Sequence, residues 1–410
     1  MISTLILITI LLIVLGEYSI SKWLIYRNIK AANGKIPTEL EGLYDSEKYE
    51  KQQSYFKKNN KFNLLTSTIT IGLMLVLLAT QAFGSLYNYC LTITPNTILC
   101  TLIFFGILMG AHKLIMLPFD IYDTFVIEQR FGFNKTTPKT FIGDFIKSTL
   151  ITFILSGVLL SVITWIYTLI GNNFWWVAFI IITSISLLIN LFYSQIIVPL
   201  FNKQTPLEEG ELRAEIESFA KKAGFEINNI YVMDGSKRTT KANAYFTGMG
   251  KKKRIVLYDT LIEQLTTKEI IAVLAHEIGH YKKQHVLKNF IINSILLLIK
   301  LYILSLTLTS TAMAESMGVI QPTFAISLIA FGILYTPIDI ITGLFMNFIS
   351  RKSEYQADNF AKEYGLGEDL ISGLKKISVQ SLTNLTPDEL YVKFYYSHPT
   401  LLQRILNLKK

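Results

Sequence analysis

Residues 275–280 read Ala-His-Glu-Ile-Gly-His and contain the pattern H-E-x-x-H. Residues four apart share one face of a helix, so His276 and His280 can both direct ring nitrogens at one zinc ion. Glu277 then lies beside a metal-bound water and can take its proton. Zinc brings the pKa of such a water towards neutrality, which makes hydroxide available to attack a peptide carbonyl. The pattern predicts a zinc-dependent hydrolytic site with Glu277 as general base; the alternative is a charged helix face with two solvated histidines.

A catalytic zinc usually has three protein ligands and one open position, so a third ligand must lie elsewhere. His285 is five residues past His280, which on a continuous helix rotates it about 140° off the shared face. We therefore predict that His285 is a surface or interface histidine. The longer pattern H-E-x-x-H-x-x-G-x-x-H fails, because Lys283 and Val286 stand where it needs glycine and histidine. A carboxylate is the favoured third ligand.

The best candidate for that carboxylate is Glu354, in the sequence Arg-Lys-Ser-Glu-Tyr-Gln-Ala-Asp at residues 351–358. Glu354 and Asp358 are four apart on a predicted helix, so one can bind zinc while the other orients a ligating histidine. Spacing alone is equally typical of a solvated charge pair that follows a membrane span.

The composition indicates that membrane helices hold these residues. The chain has 410 residues, of which 51% are hydrophobic and 17% charged, whereas a soluble domain has about 25% charged residues. An ordinary cytosolic enzyme and a disordered chain are both excluded. The net charge is +9, but the basic residues form no long tract or aromatic-interleaved stripe, so no nucleic-acid partner is predicted. Two cysteines, Cys90 and Cys100, are too few for a disulfide framework or a cysteine-only zinc site.

Apolar segments long enough to cross a bilayer recur along the chain. The first begins at the N-terminus without a basic n-region, so it is a predicted membrane helix and not a removed signal peptide. Loops rich in lysine and arginine alternate with loops that have none, which places the basic loops, the H-E-x-x-H motif and the C-terminus on the cytoplasmic side. Seven spans are predicted, over residues 2–20, 64–83, 97–119, 145–170, 175–200, 286–308 and 324–349.

Two polar regions are long enough to fold. The first contains an amphipathic helix, three short strands with a turn at 248–250, and the H-E-x-x-H helix, and the second contains helices. Three polar residues are predicted to lie within the spans, namely His112, Lys113 and Asp339. We expect them either to line a water-filled space or to reach a span end or a local partner. The predicted domains are spans one to five (1–201), the first part of the zinc domain (202–285), spans six and seven (286–349) and the second part of the zinc domain (350–410).

The H-E-x-x-H motif followed by Glu-Tyr-x-Ala-Asp at 354–358 resembles the integral-membrane zinc endopeptidases of the CAAX prenyl protease 1 type and, more distantly, bacterial heat-shock membrane proteases. Three further segments resemble that family: residues 125–138 after the third span, Asn-Ala-Tyr-Phe-Thr-Gly at 243–248, and Ser-His-Pro at 397–399 with Arg404. The resemblance implies an all-α multi-pass membrane protein, with seven transmembrane helices around a chamber and a small, mostly helical zinc domain carrying a short β-sheet.

The same resemblance implies roles for individual residues. One Zn²⁺ per chain would be bound by His276, His280 and Glu354, with Glu277 as base and Asp358 as the partner of a ligating histidine. An edge strand at Asn243 and Ala244 would pair with extended substrate, which suits the unpaired backbone groups of such a strand. His398 would hydrogen-bond the substrate carbonyl or the developing oxyanion, and Arg404 would hold carboxylates near the site.

The implied partners are a peptide or protein substrate, with or without a prenylated CAAX tail, and membrane lipid. The short loop at 309–323, which has no lysine or arginine, and the compact length favour a bacterial plasma membrane with a quality-control substrate; the endoplasmic reticulum is the eukaryotic alternative. An intramembrane-cleaving protease is disfavoured because charges at 251–254, 268–269 and 281–283 flank the motif. A transporter with a vestigial zinc site would leave the motif and Glu354 without a role.

Overall fold

The computed structural model of the chain describes residues 1–32, 36–225, 230–247 and 254–410. The predicted turn at 248–250 lies outside the described residues. The N-terminal half is helical: α1 (Ile2–Ala31), α2 (Ser46–Ala79), α3 (Ala82–Ile93), α4 (Thr97–Tyr122), α5 (Gln129–Phe131), α6 (Pro138–Ile170) and α7 (Phe174–Phe192).

The C-terminal half combines a small sheet with further helices. Its strands are β1 (Gln204–Pro206), β2 (Ile230–Met233), β3 (Ala244–Thr247) and β4 (Arg254–Tyr258). Its helices are α8 (Glu211–Lys222), α9 (Asp259–Gln264), α10 (Thr267–Lys282), α11 (His285–Thr307), α12 (Thr311–Ser316), α13 (Phe324–Leu334), α14 (Thr336–Glu363), α15 (Gly367–Gln380), α16 (Glu389–Tyr395) and α17 (Leu401–Lys409).

The chain is a multi-pass membrane protein, as predicted. Within the described residues, five helical stretches are long and apolar enough to cross a membrane, and a sixth span results if α13 and α14, which meet at a 56° bend, count as one. The longest stretch, Pro138–Leu200, folds back on itself. Its two ends are in contact, as Lys147 Nζ in the first part of α6 donates to the Leu200 carbonyl at 2.9 Å. It therefore contains two spans, and the structure accommodates all seven predicted ones.

The last span continues without interruption into the polar C-terminal region. We expected a new helix after residue 350, but α14 runs from Thr336 to Glu363 as one helix. Asp339 near its start accepts a 2.7 Å hydrogen bond from Lys300 on α11, so this intramembrane charge has a local partner. Cavities of about 550 Å³ and 570 Å³ lie between the membrane helices.

The sheet has the strand order β1-β2-β4-β3. β2 pairs in parallel with β4, which in turn pairs antiparallel with β3 through the partners Ala244 and Leu257. The three predicted strands are confirmed, whereas β1 was missed because its three residues include a proline and lack β-branched apolar side chains. β3 is an outer strand of the sheet, and no described strand pairs with its other edge.

Both halves of the chain contribute to one hydrophobic core around the H-E-x-x-H helix. Ile127, from a π-helical turn at Asp123–Glu128 that continues α4, and Phe133 are buried together with Ile216 of α8, Ile278 of α10 and Ile405 of α17. The residues after the third predicted span are thus part of the same core as the H-E-x-x-H helix. A second core lies at the opposite end of the membrane helices and contains Cys90 and Cys100, both of which are free thiols.

Candidate metal centre

The H-E-x-x-H helix is fixed at its N-terminus by a buried carboxylate. Thr266 caps α10 and forms a capping box with Glu269, whose side chain accepts from the Thr266 amide at 2.8 Å. Glu269 also accepts from Ser372 Oγ at 2.6 Å and from Lys376 Nζ at 2.7 Å. These contacts outweigh burial and lower the pKa of Glu269, so the carboxylate stays ionised and ties α15 to the start of α10.

The middle of α10 lies unusually close to α14. A Cβ atom placed on Gly279 would lie 3.0 Å from both Ala357 Cα and Phe360 Cβ. Only glycine allows the two backbones to approach this closely. The glycine inside the motif therefore sets the distance between the helix that carries the two histidines and the helix that carries Glu354.

Three side chains from these two helices converge. His276 Nε2 and His280 Nε2 are 3.1 Å apart, and the Glu354 carboxylate oxygens lie 3.4 Å from His276 Nε2 and 3.2 Å from His280 Nε2. Ligand atoms on a tetrahedral zinc at about 2.0–2.1 Å are roughly 3.3 Å from one another. Glu354 is buried, yet its Oε2 atom has no hydrogen-bond partner among the described residues. The donor set and this orphaned oxygen fit a metal ion.

The Glu354 carboxylate of the triplet suits a cation, whereas His276 must release a proton when a metal binds. Burial raises the pKa of the Glu354 carboxyl, but its close contacts with His276 and His280 outweigh burial and hold that pKa well below its usual range. Burial and Arg404 lower the pKa of His276, but the carboxylates of Asp358 and Glu354 outweigh them and raise it to about 9 in the absence of a metal. Glu354 is therefore ionised at neutral pH, as a carboxylate ligand must be.

Asp358 lies behind the first histidine. His276 Nδ1 donates to Asp358 Oδ1 at 2.8 Å, which leaves Nε2 facing the triplet. Arg404 holds the same carboxylate with two hydrogen bonds, Nε to Oδ2 at 2.9 Å and Nη2 to Oδ1 at 2.5 Å. Asp358 is fully buried, which raises its pKa, but hydrogen bonds from His276 and Arg404 outweigh burial and lower that pKa. Asp358 and Arg404 thus form a buried ion pair that orients His276.

His285 lies behind the second histidine, and our prediction of a surface or interface position was wrong. The residue is 3% exposed, its Nδ1 is 3.0 Å from His280 Nδ1, and its Nε2 is 2.8 Å from Gln356 Oε1. The angular argument failed because α10 ends at Lys282 and Gln284 takes a left-handed conformation, with φ of 59°. His285 begins a new helix that turns it back towards His280. The Gln356 contact gave no sequence signal.

Glu277 faces an open cleft. Its half-buried side chain lines a cavity of about 510 Å³ together with the three converging residues, Asn243 and Ala244. Over the described ranges, the Glu277 carboxylate forms no hydrogen bond and no ion pair. An unpaired carboxylate beside a candidate metal site is free to accept a proton from water.

The remaining predicted residues border the same cavity. His398 Nε2 is 3.3 Å from Glu354 Oε1, and its ring is largely exposed to the cleft. Asn243 is exposed, and its Oδ1 accepts from the Ala244 amide at 2.8 Å. The start of the edge strand β3 therefore lies at the cleft, with the amide of Ala244 bonded to the neighbouring side chain.

A network from the membrane half holds the segment that leads into β3. Lys241 Nζ donates to Glu128 Oε2 at 2.8 Å, and Tyr55 of α2 donates to Glu128 Oε1 at 2.5 Å. Three residues earlier, Arg238 binds Asp144 of α6 through two hydrogen bonds of 2.7 and 2.9 Å. These contacts were not predicted. They give the residues after α4 a structural role, because they fix the approach to the edge strand.

Comparisons with known proteins match both halves of the chain to membrane proteases. A family model described as CAAX prenyl protease N-terminal, five membrane helices, matches residues 25–203, and one described as peptidase family M48 matches residues 206–410. CAAX prenyl protease 1 of Saccharomyces cerevisiae is 32% identical and aligns over 96% of this chain and 93% of its own length.

Two further relatives and a solved structure extend this result. The CAAX prenyl protease 1 homologs of Dictyostelium discoideum and Homo sapiens are 35% and 30% identical, over 96% and 97% of this chain and 94% and 95% of their own lengths. The crystal structure of S. mikatae Ste24p superposes with a TM-score of 0.94 at 32% identity and covers 99% of both chains.

Proposed function

The chain belongs to peptidase family M48 and is a membrane-embedded metalloendopeptidase, and we propose that it cuts the C-terminal tails of lipidated, CAAX-type proteins at the cytoplasmic membrane face. The observation that carries the proposal is the cleft in which the unpaired Glu277 carboxylate, the triplet of His276, His280 and Glu354, and the edge strand β3 meet. A peptide bound along β3 would pass this carboxylate.

In the proposed mechanism, His276, His280 and Glu354 hold one zinc ion. When bound, zinc acidifies water and polarises the peptide carbonyl. Glu277 takes the proton of the attacking water and passes it to the leaving amine. Asn243 and Ala244 align the substrate backbone by adding it to the sheet edge, which requires the Ala244 amide to exchange its Asn243 contact for a substrate carbonyl.

His398 and Arg404 have different parts in this proposal. The exposed ring of His398 at the cleft is placed to donate to the substrate carbonyl as negative charge develops on its oxygen. Arg404 acts from behind the site, because its guanidinium binds Asp358 and lies 3.8 Å from Glu354 Oε2. We therefore propose that His398 touches substrate and that Arg404 positions carboxylates.

The proposed location follows the relatives. The relatives named above are eukaryotic and give no support to the bacterial plasma membrane that the loop at 309–323 and the compact length favoured. We propose the endoplasmic reticulum membrane, with the cleft in the cytoplasm. The direct partners are then a peptide with a lipidated tail and the bilayer itself.

The decisive experiment compares two otherwise identical CAAX-type peptides, one farnesylated and one not, incubated with the detergent-purified chain. We expect cleavage of the farnesylated peptide with at least about tenfold higher kcat/KM, loss of cleavage on chelation and recovery on adding Zn²⁺. Equal cleavage of both peptides would contradict the lipidated substrate and favour a quality-control protease. A zinc-loaded chain that cleaves neither peptide would contradict CAAX-type tails as the substrate.

A second proposal concerns the hydrogen-bond chain from Gln356 through His285 to His280. An amide oxygen only accepts hydrogen bonds, so the Gln356 contact places the His285 proton on Nε2. His285 Nδ1 must then accept from His280 Nδ1, which leaves His280 Nε2 with a free electron pair facing the metal site. We propose that Gln356 and His285 are positioning residues that fix the metal-binding tautomer of His280.

The tautomer proposal predicts a difference between two variants of one position. His285→Leu removes the acceptor and is expected to weaken zinc affinity by roughly 10–100-fold, whereas His285→Asn places an acceptor oxygen near the position of Nδ1 and is expected to retain most of the affinity. The measurement is zinc competition against a chromophoric chelator. His112→Leu, a histidine in the membrane part, is the matched control. Equal affinities of the Leu and Asn variants would contradict the proposal.

A further inference from the structure

A groove between α2 and α4 lies at the cytoplasmic end of the membrane region. Its volume is about 640 Å³, and its walls come from these two helices alone. The wall of α2 changes from polar to apolar within two turns: Lys58 and Lys61 come first, and Leu64 and Leu65, which are exposed, follow. Pro118, Phe119 and Tyr122 of α4 form the opposite wall.

The two lysines are held at the mouth of this groove without a negative partner. Lys58 Nζ donates to the Tyr122 hydroxyl at 3.0 Å instead of extending into water. Lys61 lies one turn further on the same face of α2. No carboxylate of the described chain forms an ion pair with either lysine. Two like charges three residues apart repel each other, so the site favours an anion that bridges them.

An aromatic cluster separates the charged mouth from the apolar floor. The rings of Phe62 and Tyr122 stack, with their centroids 5.4 Å apart and an angle of 28° between their planes. The centroids of the Phe119 and Phe62 rings are 6.4 Å apart. Aromatic side chains concentrate where headgroups meet hydrocarbon. The lysines are therefore at headgroup depth, and Leu64 and Leu65 are at the depth of acyl chains.

We propose that this groove is a binding site for one anionic phospholipid of the cytoplasmic leaflet. The phosphate would lie between Lys58, Lys61 and the Tyr122 hydroxyl, which can donate its own proton, and an acyl chain would run along Leu64 and Leu65. Charge complementarity and the graded polarity of the walls both fit this occupant. Phosphate alone would leave the apolar floor uncovered.

The bound lipid would affect the edge strand through α2. Tyr55 lies one turn before Lys58 and donates to Glu128, the partner of Lys241 ahead of β3. A ligand that bridges α2 to the end of α4 stabilises the helix contact on which this network depends. Occupancy of the groove is therefore expected to raise the thermal stability of the full chain.

The test measures lipid binding to the detergent-purified full chain by native mass spectrometry, with dioleoylphosphatidylglycerol and dioleoylphosphatidylcholine as probes. Each lysine near an anionic headgroup is worth about fivefold in affinity, so K58Q/K61Q is expected to weaken phosphatidylglycerol binding roughly 30-fold. K51Q/K57Q removes the same charge from exposed positions of α2 outside the groove, and K58R/K61R keeps the charge. Both are expected to bind like the wild type.

A further variant and a further ligand distinguish a groove that binds a whole lipid from a surface that attracts anions by charge alone. Leu65→Trp fills the floor and is expected to weaken phosphatidylglycerol binding although both lysines remain. Millimolar inorganic phosphate is expected neither to displace the lipid nor to raise the melting temperature. The proposal is overturned if K51Q/K57Q and K58Q/K61Q lose affinity equally, if Leu65→Trp binds like the wild type, or if phosphate alone stabilises the chain as much as the lipid does.

Discussion

Glu277→Gln is expected to keep the metal and to lose peptide cleavage by roughly 10²–10⁴-fold, the range found when a general base is removed. Glutamine has nearly the same shape as glutamate but cannot take a proton from water at neutral pH. The side chain forms no hydrogen bond or ion pair among the described residues, so its replacement leaves every contact of the triplet in place. The lost activity would therefore report chemistry and not folding.

The measurement is kcat/KM on the preferred peptide, together with zinc content by atomic absorption, for detergent-purified protein. Glu263→Gln is the matched control, because Glu263 is an exposed glutamate on α9 that forms no described ion pair. Two outcomes would contradict Glu277 as the base: a variant that cleaves as fast as the wild type, and a variant that loses its zinc.

Asp358→Asn is expected to damage both the metal site and the fold. The buried guanidinium of Arg404 would lose the ionic partner that it contacts at 2.5 and 2.9 Å. Breaking one side of a buried ion pair typically costs about 3–5 kcal/mol in the free energy of unfolding. His276 would lose its anionic acceptor, which typically lowers metal affinity by roughly 10–100-fold.

A double-mutant cycle separates these two effects. Arg404→Gln combined with Asp358→Asn replaces the buried ion pair with two neutral amides, so we expect stability to recover in part while zinc affinity stays low. Denaturant or thermal unfolding gives the first quantity, and chelator competition gives the second. Glu363→Gln, an exposed change on the same helix, is the control. Additive losses of stability in the double variant would argue against a coupled pair.

The features that could be predicted from the sequence are those set by residues close together in the chain. The H-E-x-x-H helix, the seven apolar segments and three of the four strands follow from patterns within a few residues of one another. Glu354 was identified as a candidate because carboxylates four apart on a helix suit a metal site. That this residue lies beside His276 depends on the packing of Gly279 against Ala357, which no local pattern contains.

The errors and omissions come from backbone geometry and long-range contacts. His285 was misplaced because helical rotation was extended past a residue with positive φ, where the helix had already ended. The continuity of α14 was missed because the change from apolar to polar residues near 350 was interpreted as a boundary between elements. The contacts of Lys241 with Glu128 and of Arg238 with Asp144 join segments about a hundred residues apart and leave no periodic signal.

The position of α14 also has a consequence for how the enzyme is made. His276 and His280 are synthesised before the last two membrane spans, and Glu354 follows nearly eighty residues later on the polar extension of the final span. At about 5–20 residues per second, translation takes several seconds to cover that interval. During this time the nascent chain carries an incomplete ligand set. The active site is therefore completed only after both spans have been synthesised, so we expect the nascent chain to be inactive until then.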